Sequence, residues 1–284
     1  MKVLVTGAAG MLGRAVVAAF QSDHTVIGVD LPEGDLTQPS EVMALFRVSR
    51  PDWVVHTAAF TDVDGAETQT ARAWAVNVEA TAHLCAACDQ YEAGLTYLST
   101  DYVFAGSADG YDEDSPRDPI NYYGLTKARG EEAVELRTGP WQIVRTSWLF
   151  GPGPHNFVLT IRRLLDEQRK IRVVNDQVGC PTYAPDLAVV LLWLVGTGQS
   201  GYYHGTNAGS CTWFAFAREI ARLGGADPTW IEPCTSHEYP TPARRPACSI
   251  LRSRHLEALG CPPRPTWSRA LKRYLRLLDP GTRR

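Results

Sequence analysis

Residues 2–13 read KVLVTGAAGMLG, and this stretch decides the fold. Its first five residues form a short apolar run, which is typical of a β-strand buried on both faces. Gly7, Gly10 and Gly13 follow at intervals of three residues, and a helical pattern comes next. Glycines at such a turn let backbone N–H groups approach a pyrophosphate, and the helix N-terminus attracts its negative charge. A glycine turn can be purely structural, but this position between strand and helix is the context that dinucleotide binding requires.

Strand-like and helix-like segments alternate through the first 150 residues. Further buried-strand patterns are HTVIGVD, DWVVHTAA, LTYLST and WQIVRTSWLF, and helical patterns cover 39–50, about 67–91 and 122–136. Regular alternation with buried strands predicts an α/β fold with a doubly wound, parallel Rossmann sheet. After residue 151 the pattern loosens and prolines become frequent. We therefore expect an NAD(P)-binding Rossmann domain at 1–150, to which segments such as 184–196 return, and a smaller, mainly substrate-binding domain at 151–284.

Composition excludes several classes of function. The 284 residues are 44% hydrophobic and 21% charged, as in an ordinary soluble globular protein. The net charge of −3 argues against nucleic acid or an anionic membrane as the main partner. No apolar run is long enough to span a bilayer, and the N-terminus reads as a first strand without a targeting segment. We expect a cytoplasmic enzyme that acts on a small molecule.

Cysteine and histidine usage gives no sign of a metal or redox centre. The seven cysteines are an odd number without framework spacing. Cys85 and Cys88 form a C-x-x-C, but they lie in a helical stretch without a second pair or a nearby histidine. We interpret them as reduced core cysteines and predict no metal site.

Asp30 ends the second predicted strand, 23 positions after Gly7. An acidic side chain there can accept hydrogen bonds from both ribose hydroxyls of NAD and repels a 2′-phosphate. No lysine or arginine follows as far as Gln38, so the sequence favours NAD(H), with NADP(H) as a second possibility. Asp35 and Leu36 lie where the next loop can bracket an adenine, although the same residues also suit the N-cap region of a helix.

Thr100 stands at the carboxyl end of the fourth predicted strand, directly after Ser99. Ligands of doubly wound sheets bind at the carboxyl ends of the strands. A hydroxyl at this edge can hydrogen-bond the oxygen of a substrate carbonyl. Surface hydroxyls are common, so this interpretation depends on the neighbouring motifs.

Two adjacent tyrosines begin the helix after the fourth strand. Tyr123 and Lys127 are four residues apart and share one helix face, whereas Tyr122 points elsewhere. A positive neighbour lowers the pKa of a phenol, which then exchanges a proton with a carbonyl oxygen. We predict that Tyr123 is the catalytic tyrosine, that Lys127 lowers its pKa and binds the cofactor ribose, and that Tyr122 packs.

Taken in order, the motifs resemble the extended short-chain dehydrogenase/reductase family, in the branch of dTDP-4-dehydrorhamnose reductases. They are VLVTGAAGMLG, DWVVHTAAFTDVDGAE, AVNVEAT, LSTDYVFAG, NYYGLTKARGE, IVRTSWLFG, DQVGCPTYAPDLA and RRPACSIL. The resemblance implies NAD(P)H-dependent reduction of the C4 ketone of a dTDP-6-deoxyhexose by a monomer or homodimer. It implies cofactor contacts at Gly7, Gly10, Met11, Leu12, Gly13, Asp30, Asp35, Leu36, Ala58, Ala59, Phe60, Thr61, Tyr123 and Lys127. It implies sugar contacts at Val63, Thr100, Asp101, Tyr123 and Trp148, and it makes Thr100, Tyr123 and Lys127 catalytic.

Two positions depart from the family pattern. Cys248 stands where the motif RPxNS has asparagine, in a region that faces the sugar nucleotide, which leaves the substrate open. Ala15 stands where some relatives carry an acidic residue that holds a magnesium ion between subunits, so no such metal is expected.

Other members of the fold family remain as alternatives. A sugar 4,6-dehydratase needs an Asp-Glu pair after the active-site threonine, and here Tyr102 replaces the glutamate. An epimerase, or another reductase such as a dihydrostreptose-forming enzyme, shares the Tyr–Lys pair. A non-catalytic regulatory subunit of the methionine adenosyltransferase type also keeps these motifs.

Overall fold

A computed structural model describes residues 1–279 of the chain. Its strands are β1 (Lys2–Thr6), β2 (Thr25–Val29), β3 (Trp53–His56), β4 (Gly94–Thr100), β5 (Trp141–Thr146), β6 (Leu149–Phe150), β7 (Ile171–Val174), β8 (Val178–Gly179), β9 (Thr182–Tyr183), β10 (Gly201–His204), β11 (Cys211–Thr212) and β12 (Ile231–Cys234). Its helices are α1 (Met11–Phe20), α2 (Pro39–Ser49), α3 (Val63–Ala66), α4 (Thr70–Trp74), α5 (Ala80–Gln90), α6 (Tyr122–Glu135), α7 (Phe157–Asp166), α8 (Ala184–Thr197), α9 (Trp213–Leu223), α10 (Arg254–Ala258) and α11 (Trp267–Leu278). Short 3₁₀-helices cover Asp101–Val103 and Pro228–Trp230.

A six-stranded sheet in the order β2-β1-β3-β4-β5-β10 forms the centre of the molecule, and every pairing in it is parallel. The prediction of an α/β fold with a doubly wound parallel sheet is confirmed. Strands β2 and β3 lie on opposite sides of β1, so the winding reverses there. Such a reversal opens a crevice at the carboxyl ends of the strands, where ligands of this architecture bind.

The apolar run of β1 is continuous because both faces of the sheet are covered. Val3 and Val5 belong to a core with α1 and α8, whereas Leu4, which points to the opposite face, belongs to a core with α2 and α5. All three side chains are fully buried. Alternating side chains of one strand thus serve two cores, and no polar position is left between them.

A separate core lies in the later part of the chain. It contains buried side chains of α7, α9 and α11, among them Ile161, Phe216 and Leu271. Helix α8 and strand β10 instead join the first core and the central sheet. Helix α8 covers the segment 184–196, which was predicted to pack on the Rossmann domain. The predicted domain boundary at residue 150 stays a prediction.

Two predicted elements are interrupted in the structure. The segment WQIVRTSWLF contains β5, then Trp148 with a left-handed φ of 47°, then β6, which pairs with β9 in another sheet. The predicted long helix near 67–91 consists of α4, a π-helical turn at Ala75–Glu79, and α5. Such π-helical turns are rare and are frequently found at functional sites.

Candidate active site

One cleft of about 730 Å³ lies at the carboxyl ends of the central strands. It brings together nearly all of the residues predicted from sequence to bind cofactor or sugar. These are Gly7, Gly10, Met11, Leu12, Gly13, Asp30, Asp35, Leu36, Ala58, Ala59, Thr61, Val63, Thr100, Asp101, Tyr123, Lys127 and Trp148. The remaining one, Phe60, does not line the cleft, so its predicted cofactor contact has no counterpart in the lining.

The glycine turn has the shape that a pyrophosphate requires. Gly7 has a φ of 71°, and a Cβ there would lie 2.6 Å from the backbone nitrogen of Ala58. A Cβ on Gly13 would overlap the carbonyl oxygen of Gly7. Gly10 caps α1, and the first turn of this helix has no side-chain cap and no acidic residue. The backbone N–H groups there remain available for an anion, so these residues fit the diphosphate of a dinucleotide.

Asp30 lies beside this turn, at the end of β2. Its carboxylate accepts hydrogen bonds from the backbone N–H groups of Ala9 and Leu31, both at 2.9 Å. Lys127 is the one basic side chain among the described residues that line the cleft. Near Asp30 the lining therefore presents a fixed carboxylate and no cation, which suits ribose hydroxyls better than a 2′-phosphate.

Asn77 was not predicted from sequence as a site residue, although its motif AVNVEAT was recognised. It is buried in the π-helical turn, where its side-chain oxygen accepts the Phe60 N–H at 2.8 Å. Its amide nitrogen donates to the Phe60 carbonyl at 3.2 Å and to the Thr126 hydroxyl at 2.9 Å. That hydroxyl donates in turn to the carbonyl of Tyr123 at 2.8 Å. One amide thus connects the loop after β3 to the helix that carries the catalytic candidate.

The structure separates the two adjacent tyrosines. Helix α6 begins after Asn121, whose side chain accepts the Gly124 N–H at 2.7 Å. Tyr123 then lines the cleft, whereas the Tyr122 side chain does not. The backbone N–H of Tyr122 donates to Glu67 at 2.8 Å. Tyr123 is therefore the tyrosine that can meet a ligand in the cleft, and its catalytic role stays a prediction.

The electrostatics of the Tyr–Lys pair differ from the sequence-based prediction. Burial, together with the negative charge of Asp101, raises the pKa of Tyr123 well above 10, and a hydrogen bond with Thr100 opposes this only in part. Lys127 is 2% exposed, and burial lowers its pKa to about 7 despite the carboxylate of Glu131. Its ammonium nitrogen lies 4.0 Å from the centre of the Tyr97 ring. The pKa of Tyr123 therefore lies above that of a free phenol, and Lys127 is not among the groups that shift it here. The predicted effect of Lys127 on Tyr123 stays a prediction.

Two buried polar atoms in the cleft lack a partner. The Thr100 hydroxyl donates to Oδ1 of Asp101 at 3.0 Å, but Oδ2 of Asp101 has no hydrogen bond within residues 1–279. Asp101 is 3% exposed, and burial raises its pKa to about 7. The nearby Ser249 hydroxyl, which donates to the Val178 carbonyl, and the hydrogen-bonded Thr100 hydroxyl oppose this rise only in part. The hydroxyl of Thr146 likewise has no partner in the described part of the chain. A buried unsatisfied group costs about 1–3 kcal/mol, so both atoms are suited to meet a polar ligand.

A buried ion pair supports the cleft from behind. Glu131 of α6 binds Arg145 of β5 through two hydrogen bonds of 2.9 and 2.8 Å. The Ser99 hydroxyl donates to the same carboxylate at 2.5 Å. Ser99 is therefore engaged in structure. The Thr100 hydroxyl lines the cleft, where it donates to Asp101 and accepts the Tyr102 N–H at 3.2 Å, so it must exchange its Asp101 partner to bind a substrate oxygen.

Trp148 lines the cleft, but its ring is not open on either face. The Trp213 ring stacks on it, with ring centres 3.6 Å apart and an angle of 10° between the planes. Gly179 approaches the ring from the other side. A sugar contact of Trp148, which the family resemblance implies, would therefore involve an edge of its ring, and it stays a prediction. Sequence inspection did not point to Trp213, because nothing in its local pattern relates it to residue 148.

None of the seven cysteines, all of which lie within residues 1–279, forms a disulfide. Burial raises the pKa of Cys85 and of Cys88 to about 12, so these thiols stay protonated. Cys248 does not line the cleft, and its N–H donates to the carbonyl of Gly106 at 3.2 Å. Within residues 1–279, no group of three or more metal-binding side chains is close enough to hold an ion. In the same range no helix has the length and apolar character needed to cross a bilayer.

Comparison with known proteins gives matches along nearly the whole chain. The family model described as the RmlD substrate binding domain matches residues 1–279. A dTDP-4-dehydrorhamnose reductase of Streptomyces griseus is 43% identical over 276 residues, which cover 94% of this chain and 91% of the relative. A probable dTDP-4,6-dihydroxy-2-methyloxan-3-one 4-ketoreductase of Streptomyces antibioticus is 42% identical over 279 residues, covering 96% and 94%.

A solved structure agrees with these matches. The dTDP-4-dehydrorhamnose reductase of Bacillus anthracis, crystallised in complex with NADP, superimposes with a TM-score of 0.93 and 37% sequence identity. The superposition covers 98% of this chain and 99% of that one. The family model, the relatives and the solved structure all match this chain over almost its full length. The chain belongs to the RmlD family of the extended short-chain dehydrogenases/reductases.

Proposed function

We propose that the protein uses NAD(P)H to reduce the C4 ketone of a dTDP-4-dehydro-6-deoxyhexose, and that dTDP-4-dehydrorhamnose, reduced to dTDP-rhamnose, is its substrate. Its relatives are named as reductases of such sugars, and a structural neighbour was solved with NADP. One observation carries the proposal: a single cleft contains the glycine turn, the Tyr–Lys pair and two buried polar atoms without partners.

The residues of the cleft suggest a division of labour. A bound nicotinamide dinucleotide supplies the hydride. The Tyr123 hydroxyl stays protonated at all ordinary pH values because its pKa is raised, so it is ready to give its proton to the ketone oxygen. Thr100 holds that oxygen with its hydroxyl. Lys127 lies one turn after Tyr123 and binds the cofactor ribose. Asp101 accepts a hydrogen bond from a sugar hydroxyl when it is ionised and donates one when it is protonated.

A second candidate function is reduction of a related nucleotide sugar. The relative of Streptomyces antibioticus is named as a 4-ketoreductase of a different dTDP-sugar, at almost the same identity. Cys248 replaces the asparagine of the family motif RPxNS, in the segment RRPACSIL. We also propose that NAD(H) binds at least as well as NADP(H), because Asp30 meets no basic side chain in the described lining.

The test is a reductase assay with purified protein. NADH and NADPH oxidation should be followed with dTDP-4-dehydrorhamnose and with dTDP-4-dehydro-6-deoxyglucose, and the products identified by NMR. Tyr123→Phe should lower kcat by about 10²–10⁴-fold, since it removes the general acid. Tyr122→Phe is the matched control and should keep nearly full activity. Absence of turnover with both sugars would favour a non-catalytic binding protein, and equal loss in the two variants would reject Tyr123 as the donor.

A further inference from the structure

Tyr97 lies beneath the helix that carries the Tyr–Lys pair. It belongs to β4, and its side chain is fully buried. Its hydroxyl donates to the carbonyl of Lys127 in α6 at 3.4 Å. A Cβ on Gly130 would overlap the hydroxyl oxygen of Tyr97, so this glycine leaves the room that the phenol needs under α6. Strand and helix thus hold the ring in one place.

The ammonium of Lys127 lies over the face of this ring. Its nitrogen is 4.0 Å from the ring centre. Lys127 lines the cleft, although its side chain is almost completely buried. Among residues 1–279 the ammonium has no hydrogen-bond acceptor and no ion-pair partner. The face of an aromatic ring attracts a cation within about 6 Å of its centre, so the ring of Tyr97 is the direct electrostatic contact of this ammonium in the described structure.

The carboxylate of Glu131, one turn after Lys127, offsets the burial of the lysine only in part. It accepts two hydrogen bonds from Arg145 and one from Ser99, and it forms an ion pair with Arg117 at 3.2 Å. Two guanidinium groups therefore share its negative charge. Burial lowers the pKa of Lys127 to about 7 despite this carboxylate, because desolvation disfavours the charged form.

The other titratable side chains on the elements around Lys127 add no fixed charge. They are His56 of β3, Cys85 of α5, Asp101 and Tyr102 of the 3₁₀-helix, and Tyr123 of α6. Burial lowers the pKa of His56 to about 3 and raises that of Cys85 to about 12, so both side chains are neutral. Burial likewise raises the pKa of Tyr102 and of Tyr123, and both phenols stay protonated. Burial places the pKa of Asp101 at about 7, so Asp101 is the member of this group that titrates in the same range as Lys127.

A ring that attracts the cation opposes the effect of burial, because it favours the ammonium over the neutral amine. The contact also fixes the direction of a long and flexible side chain. We propose that Tyr97 is a positioning residue, whose ring face favours the charged form of Lys127 and holds its ammonium at the cleft for the ribose hydroxyls of the cofactor. The inference rests on the proposed ribose contact of Lys127 and not on the identity of the sugar.

The test is NADH binding without a sugar, measured by fluorescence titration over a range of pH. A desolvated cation–π contact is worth about one pKa unit, so Lys127 should lose its proton about one pH unit lower when the ring is absent. Tyr97→Leu should therefore bind NADH about three- to tenfold more weakly than the wild type at about pH 8, and within about twofold at about pH 5.5, where Lys127 is charged in both. Tyr97→Phe keeps the ring and should follow the wild type within about twofold at every pH. Asp101 titrates in all of these proteins, so its effect cancels in the ratio to the wild type.

A further variant separates the electrostatics of the ring from its volume. Tyr97→pentafluorophenylalanine keeps an aromatic ring, but the fluorines withdraw electron density from its face. It should reproduce the pH-dependent loss of Tyr97→Leu, and it decides the question if Tyr97→Leu does not fold. Tyr91→Leu is the matched control, since Tyr91 packs on the same core and carries the Arg50 guanidinium over its ring at 4.9 Å but does not line the cleft. It should leave NADH binding unchanged at every pH.

The pH dependence distinguishes the proposed role from a purely structural one. A loss of NADH affinity in Tyr97→Leu that is equal at both ends of the pH range would overturn the inference, and so would wild-type affinity of the fluorinated variant at the upper end. Lys127→Met that binds NADH as tightly as the wild type at the lower end would remove the ribose contact on which the inference rests. A wild type that shows the expected pH dependence of binding but reduces neither dTDP-sugar would instead reject the proposed function.

Discussion

The buried lysine makes a quantitative prediction about stability. Burial lowers the pKa of Lys127 from 10.5 to about 7. Between these pH values the unfolded chain carries a proton on this lysine that the folded protein lacks, so the free energy of unfolding rises with pH. Each pH unit is worth about 1.4 kcal/mol once the folded lysine is neutral, and slightly less near its pKa. From about pH 7 to 8.5 the wild type should therefore gain about 1.6 kcal/mol relative to Lys127→Met.

The assay is urea unfolding of wild type and variant at several pH values in this window. Ionisation of cysteines in the unfolded chain acts in the opposite direction, because Cys85 and Cys88 stay protonated when folded. This effect is common to wild type and Lys127→Met, so it cancels in the difference between them. Lys272→Met removes an exposed lysine and should run parallel to the wild type. A difference between wild type and Lys127→Met that stays flat over the window would refute the reasoning. It would show that Lys127 is charged in the folded protein, as its predicted effect on Tyr123 requires.

Three further substitutions test the cleft. Asp30→Ala should weaken NADH binding by about 10–100-fold, since it removes hydrogen bonds to a charged group, and should leave NADPH binding equal or better. Fluorescence titration measures both affinities. A loss of NADPH affinity equal to that of NADH would contradict the ribose assignment. Gly13→Ala should abolish dinucleotide binding in the same titration, because its Cβ overlaps the Gly7 carbonyl; retained affinity would show that the turn relaxes. Thr100→Ala should lower kcat by about fivefold, as expected for one neutral hydrogen bond, and steady-state rates decide whether the loss stays below that of Tyr123→Phe.

The parallel sheet could be predicted because its strands are buried on both faces. Val3, Leu4 and Val5 serve two different cores, so each strand appears in the sequence as a continuous apolar run. That Tyr123 and not Tyr122 lines the cleft could be predicted from helical spacing, since only Tyr123 shares a helix face with Lys127. In both cases the residues that form the pattern belong to one strand or to one helical turn, so the sequence alone shows it.

Other features depend on parts of the chain that only the fold brings together. Strand β10 contains Tyr202 and Tyr203 in a short run beside glycine and histidine, which has no clear strand pattern. Trp213 meets Trp148 through the pairing of β11 with β8, which no periodicity reveals. The charge on Lys127 depends on how completely its surroundings exclude water, and residue spacing carries no information about that.

Asn77 has a consequence for how the enzyme works over repeated turnovers. Its amide joins the loop after β3 to Thr126, and Thr126 holds the backbone of Tyr123. Fixing a residue in one conformation costs about 1–2 kcal/mol of conformational entropy. Here that cost is met once, when the chain folds, and does not recur each time a substrate arrives. The hydrogen bonds of Asn77 and Thr126 therefore hold the loop after β3 and the backbone of Tyr123 in place before any ligand arrives.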